Sequence, residues 1–140
     1  MKKIFTLLLF AISAHLAVAQ EANGNTIEVV INDISSDEGQ IRVGLYSSAD
    51  TWLEDIDRGL NGEINNGSST VTFNNVPDGT YAISSYHDEN NNSELDTNML
   101  GIPKEDVGSS NNAPARFGPP KWKAAKFEVK GKSIQLSIDY

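Results

Sequence analysis

The chain has 140 residues, with 11 Lys+Arg against 19 Asp+Glu, two His and no Cys. Without cysteine it cannot be a disulfide-stapled miniprotein, a Cys-ligated zinc or iron–sulfur protein, or a thiol enzyme. A net charge of −8 argues against a nucleic-acid partner, because phosphate binding needs Lys and Arg in excess, and the length suits one domain around one core.

Residues 1–20 read as an address rather than structure. Lys2 and Lys3 form a positive n-region, Ile4 to Ile12 an apolar h-region, and Ala17-Val18-Ala19 a small-x-small cleavage site. Cleavage after Ala19 is expected, so 1–19 is a signal peptide and 20–140 the mature domain, exported to the periplasm or beyond. The apolar run is about half of the roughly 20 residues that a membrane span requires. No Cys follows it for a lipid anchor. The mature chain keeps 9 positive and 19 negative side chains, with His87 as its single histidine. A multi-histidine metal centre is thereby excluded, and a Ser-His-Asp triad has one possible base. Residues 20–115 hold 3 cations and 17 anions, residues 116–140 hold 6 and 2. The plainest expectation is that the basic tail complements the acidic body within one fold.

Alternation of apolar and polar residues predicts strands in chain order. Thr26–Asp33 places Ile27, Val29 and Ile31 on one face, and Gln40–Ser47 does so with Ile41, Val43 and Leu45. A turn-rich 35–39 segment joins them as an expected hairpin. Ser48–Arg58, with Trp52, Leu53 and Ile56 on one face and Gly59 as a stop, predicts one short loop helix. Gly62–Asn65 is a possible short strand. Ser69–Asn75 carries Val71 and Phe73, the Val76-Pro77-Asp78-Gly79 turn follows, and Thr80–His87 is the next strand. Ala125–Lys130 and Ser133–Asp139 complete the set around Gly131. The expectation is an all-β chain, a single antiparallel β-sandwich of about seven strands, immunoglobulin- or transthyretin-like. Residues 88–123 stand out as a long loop, and a loop of that length in a compact domain is functional or held by something.

That loop opens with His-Asp-Glu-Asn-Asn-Asn-Ser-Glu-Leu-Asp over 87–96. Counting from Asp88 puts side-chain oxygens at positions 1 (Asp88), 3 (Asn90), 5 (Asn92) and 9 (Asp96), with the Glu94 backbone carbonyl at position 7. Alternate residues of a tight loop point to one centre, and calcium takes 6–8 oxygen ligands. Calcium is therefore the expected ion, with a structural role, and magnesium fits less well because it demands rigid octahedral geometry. The pattern is not an EF-hand: Ser93 stands where Gly is usual, Met99 where the bidentate Glu is usual, and Gly101-Ile102-Pro103 breaks a following helix. It looks more like the calcium loops of extracellular β-sandwich and thrombospondin-type repeats. Asn98, Glu105 or Asp106 could supply the closing ligand. The alternative is a cluster of Asx turns satisfying its own backbone.

The runs Asp78-Gly79-Thr80-Tyr81-Ala82-Ile83, His87-Asp88-Glu89-Asn90-Asn91-Asn92, Leu95-Asp96, Gly101-Ile102-Pro103-Lys104-Glu105, Ser110-Asn111-Asn112 and Phe117-Gly118-Pro119-Pro120 resemble the exported bacterial family known as domain of unknown function 2141. The resemblance covers essentially the whole mature chain and departs at Ser93, where Gly is expected. It implies a secreted single-domain β-sandwich, similar to transthyretin-like or carboxypeptidase-regulatory-like folds. It implies no established activity.

Two further groups offer chemistry. His87 could act as a base or ligand beside Asp88, or with Glu105, in a hydrolase; a lone histidine at a strand end is more often structural. Phe117 and Trp122, with Trp52, could stack a glycan, or Phe117 and Trp122 could cap the sandwich and anchor the long loop, which offsets its ordering entropy. Paired carboxylates carry little weight in so acidic a chain, and neither a nucleophile elbow nor a His-Glu-x-x-His motif is present. The expected role is a non-enzymatic binding or accessory module of the bacterial envelope with a calcium-stabilised loop, an envelope protein or glycan being its partner. The alternatives are a glycan-binding module and a His87 hydrolase.

Overall fold

A computed structural model of the chain describes residues 24–140, so the expected signal peptide lies outside the described residues. Among these described residues there are eight strands: β1 (Asn25–Asn32), β2 (Gln40–Tyr46), β3 (Arg58–Gly62), β4 (Ser69–Val76), β5 (Gly79–Asp88), β6 (Val107–Ser109), β7 (Phe127–Val129) and β8 (Ile134–Asp139). One sheet has the order β4-β1-β8, the other β3-β2-β5-β6, with β7 also paired to β5. The all-β sandwich expected from the alternation is the architecture found. All pairs are antiparallel except β1 with β8, which run parallel from Ile27↔Ile134 to Asn32↔Asp139.

The inward faces are those the alternation marks. Ile27, Val29 and Ile31 of β1 and Ile41, Val43 and Leu45 of β2 are buried, and with Phe73, Ile83 and Ile138 they form the shared core. Full burial of each large apolar side chain contributes roughly 1.5–3 kcal/mol. The expected β1–β2 hairpin does not form. β1 pairs with β4 and β8 while β2 lies in the opposite sheet, so the two apolar faces meet across the core. Period-2 alternation marks the buried face of a strand but not its neighbour.

The expected helix over 48–58 is also absent. Turns occupy its middle, Leu53 adopts φ 64°, the Asp50 N–H donates to Ser48 Oγ, and the Ser47 N–H donates to the Asp57 carboxylate. Such side-chain acceptors compete with helical bonding. Among the described residues the α-helix is a single turn elsewhere, α1 (Trp122–Ala125). The short strand expected at 62–65 is displaced to Arg58–Gly62. Asn65 to Ser68 instead make a tight turn, with Asn66 at φ 52° and Gly67 at φ 71°, the pairing that favours Asn-Gly. Residues 88–123 are not all loop either: β6 and a 3-10 turn at Ser110–Asn112 divide them.

Candidate functional site

The most elaborate polar arrangement grows from the end of β5. Asp88 is its last residue and fully buried. Arg42 faces Tyr86 in the ladder, so Asp88 lies diagonally across from it on the same sheet face. Arg42 Nε donates to Asp88 Oδ2 at 2.9 Å. The chain then turns back over this carboxylate: Oδ1 accepts the Asn92 N–H at 3.0 Å and Oδ2 the Ser93 N–H at 3.1 Å.

Local chemistry shapes the turn. Asn90 Oδ1 accepts the Asn92 N–H and Asn92 Oδ1 the Glu94 N–H, at 3.0 and 2.9 Å, which are Asx turns. Their amide nitrogens both donate to Asp96, Asn90 to Oδ2 at 2.7 Å and Asn92 to Oδ1 at 3.1 Å. Glu105 closes the far side, accepting the Glu89 N–H at 3.2 Å and the Asp96 N–H at 3.0 Å. Ser93 sits at φ 70°, a conformation costing a non-glycine residue roughly 1–2 kcal/mol. Its hydroxyl accepts from Arg42 Nη2 at 2.6 Å, which offsets that strain and accounts for Ser where the motif uses Gly. In the bend just before β2, Gly39 has φ 74° and packs so closely on the Asp88 carbonyl that a Cβ would lie 2.1 Å from it. No side chain fits there.

Of the predicted ligand set, Asp88, Asn90, Asn92 and Asp96 therefore share one hydrogen-bonded turn. Glu94 joins it by its N–H, and its side chain is exposed. Of the three closing candidates, Glu105 reaches the turn, and there it accepts the Glu89 and Asp96 N–H groups. Asn98 spends its Oδ1 on the Leu100 and Ile102 N–H groups, and Asp106 offers its backbone carbonyl to the His87 N–H. Among the described residues, no three Asp, Glu, His or Cys side chains gather as a metal-holding group. An ion at this turn would rest on the Asp88 and Asp96 carboxylates plus carboxamides and carbonyls. Asn90 and Asn92 now point their amide nitrogens at Asp96, so ligation requires those amides to turn.

Beyond the turn an arm projects. Thr97 bridges to Pro103, Lys104 N–H donates to the Asp96 carbonyl, and Asn98 closes the tip. Met99 is fully exposed, Leu100 84% and Ile102 55% exposed. Nothing in the periodicity marks these residues. The signal was an apolar Met-Leu-Gly-Ile run inside a polar loop.

The other candidates have quieter places. His87 is buried and its Nε2 lies 2.7 Å from the Glu38 carbonyl oxygen, so that nitrogen carries a proton and donates. It holds the 35–39 turn, and Asp88, pointing to the opposite sheet face, does not orient it. Trp52 packs edge-on against Tyr46 and Trp122, with ring centroids 4.9 and 5.9 Å away, and its Nε1 donates to the Pro120 carbonyl at 2.8 Å. Trp122 thus caps the sandwich together with Trp52. Phe117 does not anchor the loop; it is fully exposed. The anchors are Ser110 and Asn111, which the sequence marks only as part of the family resemblance. Ser110 Oγ accepts the Ile83 N–H at 2.9 Å and donates to the Ala125 carbonyl at 2.6 Å. Asn111 Nδ2 faces the Ala124, Ala125 and Lys126 carbonyls at 3.0–3.1 Å. The basic tail does not complement the acidic body: among the described residues the ion pairs are Arg42–Asp88 and Lys130–Glu128, and neither joins the two.

Fold and site define a small β-sandwich that carries a hydrogen-bonded arm at one end of its larger sheet. Residues 29–137 match the family described as "Uncharacterized protein conserved in bacteria (DUF2141)", and the chain belongs to that family. No curated protein and no solved structure matches the chain.

Proposed function

We propose that the chain is an exported, non-enzymatic binding module whose contact surface is the 94–105 arm. One observation carries this reading: Met99 and Leu100 stand in solvent on an arm whose backbone is pinned by Asp88, Asn98 and Glu105. Ordering a loop while leaving its largest apolar side chains uncovered is costly unless a partner covers them. The buried, donating His87 favours binding over hydrolysis, and the edge-packed Trp52 and Trp122 favour the arm over a glycan platform. A photo-reactive residue at position 100, in cells exporting the protein, is expected to give discrete adducts. The same group at Thr72, on the exposed face of β4, is expected to give none. Equal labelling at the two positions removes the reading.

Calcium at Asp88, Asn90, Asn92 and Asp96, with the Glu94 carbonyl, is part of this proposal, as the ion that stiffens the arm. Support comes from the convergence of those four side chains on one turn. A calcium-selective rise in melting temperature, lost in Asp96→Ala and not reproduced by magnesium, is expected. With no shift, the turn stands on its Asx hydrogen bonds alone.

A further inference from the structure

Asn-Gly pairs occur at 23–24, 61–62 and 66–67 of the chain. Asparagine is a thermolabile residue, and a following glycine puts no side chain around the nitrogen that can attack its carboxamide. The three pairs differ in their surroundings. Asn23 lies outside the described residues. Asn61 and Gly62 are laddered in β3, opposite Arg42 and Ile41 of β2. Asn66 and Gly67 are the corner of the 65–68 turn that joins β3 to β4, and Asn66 is exposed.

The reaction open to this last pair needs only water. The Gly67 nitrogen, once its proton has left, bonds to the Asn66 Cγ; the Cγ–Nδ2 bond breaks and ammonia departs with that proton. Water then opens the cyclic imide, at the side-chain carbonyl to give aspartate or at the main-chain carbonyl to give isoaspartate. Two features of the structure oppose the first step. Asp37 accepts both N–H groups of the pair, that of Gly67 on Oδ1 at 2.8 Å and that of Asn66 on Oδ2 at 3.0 Å. The attacking nitrogen would therefore turn anionic against a carboxylate oxygen, and like charges at that range repel. The turn conformation also opposes ring closure. Asn66 sits at φ 52° and Gly67 at φ 71°. The left-handed region carries a ψ near +47°, which sets the Gly67 nitrogen opposite the Asn66 Cβ across the Cα–C bond. The Ile34 N–H, donating to the Gly67 carbonyl at 3.0 Å, is a further tie on this turn.

We infer that Asn66 is a site of spontaneous conversion to aspartate and isoaspartate, and that Asp37 is the group that holds the conversion off. Neither assignment depends on the arm as a contact surface. Asp37 is itself exposed, so its two bonds together slow the reaction about tenfold and do not abolish it. Conversion puts a new carboxylate beside Asp37, and as isoaspartate it also lengthens the main chain by one carbon. Like charges then face each other where Asp37 had braced the turn.

The test follows the processed protein from an exporting host over weeks at neutral pH, reading the Asn61 and Asn66 peptides by tandem mass spectrometry. Conversion at Asn66 is expected to run at least about tenfold slower in the folded wild type than in the same chain held unfolded in guanidinium. Asp37→Ala is expected to raise the folded rate about tenfold, and Asp37→Asn, which keeps the size and removes the charge, to fall between. Asn61 is the reference for general unfolding. Ser110→Ala, which breaks the Ile83 and Ala125 bonds instead, is expected to leave Asn66 at the wild-type rate. Equal rates at Asn66 in folded and unfolded wild type, no conversion there even when unfolded, or variants of Asp37 that match wild type overturn the inference. So does acceleration of Asn61 and Asn66 alike in both Asp37 variants, because loss of the fold and not of the two bonds would then account for it.

Discussion

Two irregular segments of similar purpose are held by opposite chemistry. The 88–106 arm is braced by anions that accept backbone N–H groups: Asp88 takes those of Asn92 and Ser93, and Glu105 takes those of Glu89 and Asp96. The 110–126 segment is braced by neutral groups reaching backbone carbonyls, through Ser110 and Asn111, and by the Trp52–Trp122 edge contact. Charge-assisted bonds are roughly twice as strong as neutral ones and depend on the acids staying ionised. The first segment thereby projects without covering its own apolar tip, whereas the second folds its tryptophan down onto the sandwich.

The largest expected effect comes from removing the brace of the arm at its root. Asp88→Ala deletes three acceptor bonds and strands Arg42, whose side chain is only 23% exposed. A loss of about 3 kcal/mol in urea unfolding is expected, and a loss below about 1 kcal/mol would place the arm's support elsewhere. Ser110→Ala breaks the other segment instead. It leaves the Ile83 N–H and Ala125 carbonyl without their hydroxyl, at a cost of about 2 kcal/mol. Hydrogen exchange should then rise at Ile83 while Asn92 and Ser93 keep their protection; loosening of both segments together would erase the distinction.

Glu105→Gln keeps the shape and removes the charge. About 1 kcal/mol and faster exchange at Glu89 and Asp96 are expected, and unchanged exchange there would mean that charge is not what braces the arm. The smallest effect serves as a carboxylate control outside both segments. Asp78 accepts the Gly131 N–H at 2.7 Å and a bond from Asn25 at 2.8 Å, and these hold its pKa below the usual 3.8. A depressed folded pKa adds stability that is present above the unfolded value and lost as pH falls through the folded one. The stability gap between wild type and Asp78→Asn should therefore narrow below about pH 4. A carbon-13 titration of Asp78 should have its midpoint below 3.8, and a midpoint at or above that value would remove the claim.

Much of this was legible in the residues themselves. The alternation through Ile27-Val29-Ile31 and Ile41-Val43-Leu45 named both inward faces, because a strand's side chains obey a period of two wherever its neighbours lie. The Asp88-Asn90-Asn92-Asp96 spacing marked one tight turn, with calcium as its expected occupant and self-bonding Asx side chains as the alternative, because Asx side chains act within a few residues. The family motifs named the fold.

What the tertiary structure alone decided was everything that joins residues distant in the chain. It separated β1 from β2 into facing sheets and laid β8 parallel to β1. It gave Asp88 an arginine 46 positions earlier and so made Ser93 acceptable where glycine is usual. It tied the loop with Ser110 and Asn111 where Phe117 was expected to do so, and it left Met99 and Leu100 in solvent. Local patterns record the period of the backbone and the reach of short side chains. Sheet order, buried ion pairs and uncovered apolar surface depend on which distant segments share a core, and no single stretch of sequence carries that.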